Sequence, residues 1–194
     1  MGNLNYLAHI YLSYPDDEEM LGNFLGDFVR SKDIEYFPET VQKGINLHRQ
    51  IDEFTDQHPA FKSTVEILRP TLGKYAPVAL DVYNDYFLCR NWENLNTISL
   101  REFCNNFYGI IQNAELTYPS KLSSRLSLML ENDFLMSTAN ENNLIRSLQH
   151  LDRRSRFSSN FEGSFEVMQR NVFEFEESFQ LLFKDLRGLV KIAN

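Results

Sequence analysis

Three stretches of this chain place ionisable side chains where a helix would bury them. In Leu47-His48-Arg49-Gln50-Ile51-Asp52-Glu53-Phe54-Thr55-Asp56, a helical projection at ~100° per residue gathers Val41, Ile45, Leu47, Ile51 and Phe54 into one apolar arc. His48 and Asp52 fall inside that arc, one turn apart, while Gln42, Arg49, Glu53 and Gln57 point away. Asp85 projects into the arc of Val78, Val82, Leu88, Cys89 and Trp92, and Asp81 lies one turn earlier among the same residues. Asp27 borders a third arc, made by Met20, Leu21, Phe24, Leu25 and Phe28.

A carboxylate or imidazole aimed at a core is costly unless something compensates it. Any one of these aspartates alone is better explained as a cap on a neighbouring helix or an arginine's partner. His48, Asp52, Asp81, Asp85 and Asp27 together predict a metal centre, because a divalent cation compensates them all at once. Oxygen donors with imidazole and no thiolate suit Mn²⁺, Mg²⁺ or Fe²⁺ better than a structural zinc. Di-iron redox chemistry in a helical bundle calls for Glu-x-x-His, which the sequence lacks. Metal-assisted hydrolysis of a phosphoester is the remaining class: the cation polarises a phosphoryl oxygen and brings a bound water's pKa toward ~7.

The elements that must hold these groups are helical. Strand alternation is scarce, and periodicity predicts an all-α, single-domain bundle of about eight to nine helices over residues 1–194. Leu4 to Tyr14 reads as a buried first helix carrying His9. A second follows the acidic turn Pro15-Asp16-Asp17-Glu18-Glu19, which suits a helix N-terminus, and runs to about Val29. The His48 helix starts at Pro38-Glu39, a fourth at Pro59 runs to about Leu68, and the Asp85 helix covers roughly Tyr75 to Trp92. Ser99 and Glu102 resemble a capping box opening a helix to about Ala114; Tyr118-Pro119-Ser120 separates the next, and Asn140 precedes a short helix ending near Arg153. Phe161, Phe165, Met168, Val172, Phe175, Phe179, Leu182 and Leu186 form one apolar stripe, read as a single long final helix.

Composition narrows the function classes. The chain of 194 residues carries a formal net charge of −8, which disfavours a nucleic-acid binder needing a basic footprint. No apolar run approaches the ~18 residues of a membrane span, and the amino terminus lacks the regions of a signal peptide. The cytoplasm is the expected compartment, with Cys89 and Cys104 as reduced thiols. Arg153-Arg154-Ser155-Arg156 is the densest positive cluster, fit for an acidic partner or for plain solvation.

Asn5-Tyr6-Leu7-Ala8-His9, Gly22-Asn23-Phe24-Leu25-Gly26-Asp27-Phe28-Val29-Arg30, the His48 stretch, Leu80-Asp81-Val82-Tyr83-Asn84-Asp85-Tyr86-Phe87-Leu88 and the arginine cluster occur in an order that resembles the acyl carrier protein phosphodiesterases, along nearly the whole chain. That resemblance implies kinship with the helical HD phosphohydrolases. It implies release of 4′-phosphopantetheine from the serine of holo-acyl carrier protein, with Mn²⁺ as the preferred metal. It makes Asp27, His48, Asp52 and Asp85 the expected ligands, with His9, Asp56 and Asp81 in support. Asp27, His48, Asp52, His9 and Asp56 become the catalytic candidates. Arg30 and Arg49 would balance phosphate charge, and Arg153, Arg154 and Arg156 would meet the acidic carrier by local complementarity. The sequence departs from the family at Tyr11 and Tyr86, where the family usually has histidine. Two rival readings accompany this one: a phosphohydrolase of nucleotides or small phosphodiesters, and a non-catalytic helical protein that binds a carrier.

Overall fold

In the computed structural model, residues 6–116, 118 and 120–193 are described. Leu4 and Asn5 of the expected first helix and motif, and Pro119 of the expected junction, lie outside the described residues. Among those described, the chain forms eleven α-helices with three 3₁₀ turns and no strand. In order they are α1 (Tyr6–Leu12), α2 (Asp17–Leu25), α3 (Glu39–Gln57), α4 (Pro59–Leu72), α5 (Ala76–Arg90), α6 (Trp92–Leu95), α7 (Leu100–Asn113), α8 (Ser120–Glu131), α9 (Glu141–Arg154), α10 (Phe161–Arg170) and α11 (Val172–Ala193).

The caps are those the side chains dictate. Asp16, Ser99, Asn140 and Asn160 each accept a backbone N–H three residues on, occupying donors that a helix start leaves free. His58 caps α4 through Nδ1 and reaches Asp185 through Nε2, a structural use at a helix junction.

The helix count exceeds the expected eight to nine, for one repeated reason. At Asn91 and Asn171 the side-chain amide donates to the carbonyl four residues back, Phe87 and Val167 respectively. A side chain that competes for the i−4 carbonyl weakens the continuing ladder. The chain therefore leaves α5 before Trp92 and divides the expected long final helix into α10 and α11. The second helix also stops early, at Leu25, so Asp27 sits in the following turn rather than on a helix. In the other direction, α4 continues past Pro70 and ends at Gly73, whose φ of 53° suits glycine.

From Ala79 to Leu88 every residue of α5 is buried, so this helix has no solvent face and forms the axis of the core. α1 is almost as enclosed and packs against α2, α5 and α11. α2 and α3 form the most extensive pair in the molecule. Their backbones touch: a Cβ on Gly22 would stand 2.1 Å from the Val41 carbonyl oxygen, and one on Gly44 would stand 2.2 Å from that of Glu19. Backbone atoms cannot yield as a flexible side chain can. Gly44→Ala is therefore expected to part the two helices and cost about 1–3 kcal/mol, lowering the thermal midpoint by roughly 2–10 °C. Circular dichroism melts check this; an unchanged midpoint contradicts it.

Candidate metal centre

Asp85 places the first side chain of the centre. Its two oxygens accept the backbone N–H groups of Leu7 (3.1 Å) and Ala8 (3.0 Å), donors that the start of α1 cannot use internally. A seven-residue helix has little stability of its own. Capped from α5, it presents His9 to the interior.

A polar relay then fixes the His9 ring. Ser13 lies near the His9 carbonyl (3.5 Å), Asn23 Nδ2 donates to Ser13 Oγ (2.7 Å), and Asn23 Oδ1 faces His9 Nδ1 at 2.8 Å. This network assigns the hydrogen to Nδ1 and leaves the lone pair on Nε2. Burial pushes the His9 imidazole down against the pull of Asp52, so the ring is neutral.

The α2–α3 crossing supplies the rest. A Cβ on Gly26 would stand 2.3 Å from Cγ of His48, so the imidazole fills the space that glycine leaves. Its ring stacks on His9 with 4.0 Å between centroids. His9 Nε2 lies 3.2 Å from Asp52 Oδ1, and His48 Nε2 lies 3.3 Å from Asp52 Oδ2 and 3.7 Å from Asp27 Oδ1. One donor atom from each of His9, His48 and Asp52 falls within 4.8 Å of the others.

This donor set fits a cation. The 3.2 and 3.3 Å from the two imidazoles to Asp52 are close to the separation of about 3 Å between neighbouring donors around a cation with bonds of ~2.1 Å. His9 Nε2 and Asp27 Oδ2 are buried and make no hydrogen bond among the described residues, a costly state for polar atoms unless an ion engages them. The 3.2 Å approach of His9 to Asp52 is a proximity and not a hydrogen bond, because an acceptor lone pair there faces a carboxylate.

Electrostatics agree with that geometry. Burial would lower the His48 imidazole, but Asp27 and Asp52 outweigh it and raise it to about 9. Burial also opposes ionisation of Asp52, yet the charged His48 imidazole beside it holds its carboxyl well below the ordinary range. A cation entering at neutral pH must displace the proton on His48, so affinity rises with pH.

The remaining candidates are distributed around this cluster. Asp85, expected among the ligands, lies outside the His9–His48–Asp52 group, and both its oxygens cap α1. Burial pushes Asp85 up to about 8, against the two N–H groups. Asp81 is buried, and desolvation followed by the charge of Asp52 keeps it protonated well above the usual carboxylate range. Asp56 is exposed one turn beyond Asp52, raised by desolvation and by that neighbour. Arg30 points to solvent and pairs with Asp33 at 2.7 Å. Arg49 donates to the Val29 carbonyl at 3.4 Å, steadying the end of the segment that carries Asp27. Arg153, Arg154 and Arg156 are exposed at and beyond the end of α9. Asn23 and Ser13 were not legible as functional residues; the one signal was an asparagine flanked by Leu21, Phe24 and Leu25 on an apolar helix.

The acyl carrier protein phosphodiesterase family profile matches residues 4–186. The chain belongs to that family. It is 29% identical over 177 residues to the acyl carrier protein phosphodiesterase of Photorhabdus laumondii subsp. laumondii, covering 91% of this chain and 89% of that protein. Proteins of the same description from Enterobacter sp. strain 638 and Escherichia coli O139:H28 are 42% identical over 93 residues and 41% identical over 101. These two alignments span 48% and 52% of the relatives' own length. No solved structure matches the chain.

The two departures from the family's usual histidines fall away from the centre. Tyr11 donates to the Leu95 carbonyl and packs on Trp92, Phe103 and Phe183. Tyr86 reaches Glu141, with Arg90 over its ring. Neither phenol occupies a position in the His9–His48–Asp52 cluster.

Outer partners of metal-bound histidines are worth about 10–100-fold in affinity. Asn23→Ala, which frees the His9 tautomer, is expected to weaken Mn²⁺ binding by that factor in calorimetric titrations. Unaltered affinity in a folded variant contradicts the relay.

Proposed function

We propose that this chain is a Mn²⁺-dependent hydrolase that cleaves the phosphodiester between 4′-phosphopantetheine and the serine of holo-acyl carrier protein. The observation that carries the reading is the convergence of His9, His48 and Asp52 from two helices, with Asp27 beside them, in a chain of this family. Its chemistry is that of the helical metal-dependent phosphohydrolases, acting as one domain over residues 1–194 in the cytoplasm. Among the described residues no helix is long and apolar enough to cross a membrane.

Mn²⁺ supplies Lewis-acid polarisation of the phosphoryl oxygen and an acidified water. His9, His48 and Asp52 hold it, and Asp27 completes the donor set. Asp52 and Asp27 together offset the two charges of the cation, so the centre accepts an anionic phosphodiester without a net repulsive carboxylate. Asp81, neutral by burial, adds no further negative charge beside them. The relay from Ser13 through Asn23 orients His9 and keeps its Nε2 unprotonated.

The carrier is acidic and so is this chain, which puts the encounter on local positive surface. Arg153 and Arg156 supply it, with Lys74 lying 3.4 Å over the ring of exposed Phe157 and Arg156 5.7 Å from the same ring.

Purified chain with Mn²⁺ is expected to convert holo-carrier protein to the apo form, read as the mass loss of the prosthetic group and stopped by chelator. Asp27→Ala and His48→Ala should each reduce turnover at least 100-fold with the helical signal retained. Activity confined to a nucleotide panel overturns the substrate; undiminished turnover in both variants overturns the centre.

A further inference from the structure

Beside the metal centre a groove of about 900 Å³ opens between α8, α9 and the 3₁₀ turn Phe134–Thr138. We propose that this groove seats the phosphopantetheine arm of the substrate, an inference that rests on the hydrolase reading above.

Tyr6 joins the two places. Its ring lines the groove, stacks on Phe28 and lies against Phe24 and Phe134. Its hydroxyl is buried, with the charge of Asp27 on one side and the Arg125 guanidinium on the other. Arg125 in turn lies 4.6 Å over the ring of Phe28, the residue after Asp27. The groove thus begins where the scissile phosphate would lie.

Its charge is set against that of the whole molecule. In a chain of net charge −8, the groove gathers Arg125, Arg146 and Arg154, and none of the three pairs with a carboxylate among the described residues. The single acid on its wall, Asp133, is already engaged by Arg101 at 2.7 Å and by the Tyr108 hydroxyl at 2.8 Å. The surface therefore presents guanidinium groups with no competing negative charge, the arrangement that receives a phosphate.

Beyond the arginines the lining alternates in kind. Leu128, Met129 and Met136 offer an adaptable apolar strip. The Nδ2 groups of Asn132 and Asn143 are committed to the carbonyls of Leu128 and Met136, which leaves each Oδ1 to accept. A slender chain with one phosphate, amide N–H groups and short aliphatic segments matches this sequence of contacts. Inorganic phosphate would use only the arginine end, and a folded carrier could use only the rim.

Calorimetry on the Mn²⁺-loaded chain, with free 4′-phosphopantetheine and inorganic phosphate as separate probes, tests the assignment. The arm is expected to bind at least 10-fold tighter than phosphate. Leu128→Trp and Arg146→Glu, both at exposed positions, should each weaken the arm at least 10-fold while affinity for apo-carrier protein changes less than twofold. Equal weakening of apo-carrier binding overturns the proposal in favour of protein docking, and so does an arm that binds no tighter than phosphate. The holo-to-apo mass assay on the same preparation separates the two readings. Conversion with no arm preference sinks the groove alone; arm preference without conversion keeps the groove and sinks the proposed reaction.

Discussion

Contact between the backbones of α2 and α3 is the constraint on which this molecule depends. Gly22 and Gly44 remove the side chains that would hold the helices apart, and Gly26 gives its Cβ volume to the His48 ring. Once the helices meet at that distance, the turn after α2 has to deliver Asp27 to His48, and Asp52 follows one turn along α3. The short α1 completes the set only because α5, buried from Ala79 to Leu88, supplies Asp85 as a cap. Packing and polar chemistry are thus one problem here: close approach creates the pocket, and ionisable groups enclosed by it require a shared counter-charge.

The polar groups fall into two tiers with opposite electrostatic signs. His9 is kept neutral and Asp81 protonated by burial, whereas Asp52 is held ionised and His48 charged by each other. A buried pair of this kind is poor in net stability, because desolvation offsets most of the attraction. Its value lies in pre-organisation: ring nitrogens and carboxylate oxygens already converge, so a cation would have to displace the His48 proton but would meet little movement of heavy atoms. The relay through Asn23 and Ser13 serves the same end at the far side of the His9 ring.

The helices that carry the candidate residues are legible in the sequence, and what the sequence leaves out has physical causes. His48 and Asp52 stood out because the arc around them is strongly apolar and helical periodicity is reliable over nineteen residues. Asp27 lies in a turn and not at a helix border, and the turn still brings it within 3.7 Å of His48. Asp85 meets two backbone N–H groups, a partner that a helix projection cannot foresee, since it reports only that a carboxylate points inward. His9 came only through the resemblance, α1 being too apolar on all sides to single out one inward residue. The breaks at Asn91 and Asn171 escaped because the apolar stripe keeps its period across them: Met168 and Phe175 are both buried on either side of the interruption.

The central claim is that His9, His48, Asp52 and Asp27 surround one cation. Crystals grown with Mn²⁺ and measured at the manganese absorption edge test it most directly. An anomalous peak is expected at bonding distance, about 2.1 Å, from His9 Nε2, His48 Nε2 and an oxygen of Asp52, with Asp85 still bonded to Leu7 and Ala8. A peak centred on Asp85 and Asp81, or none within reach of the two imidazoles, would contradict it.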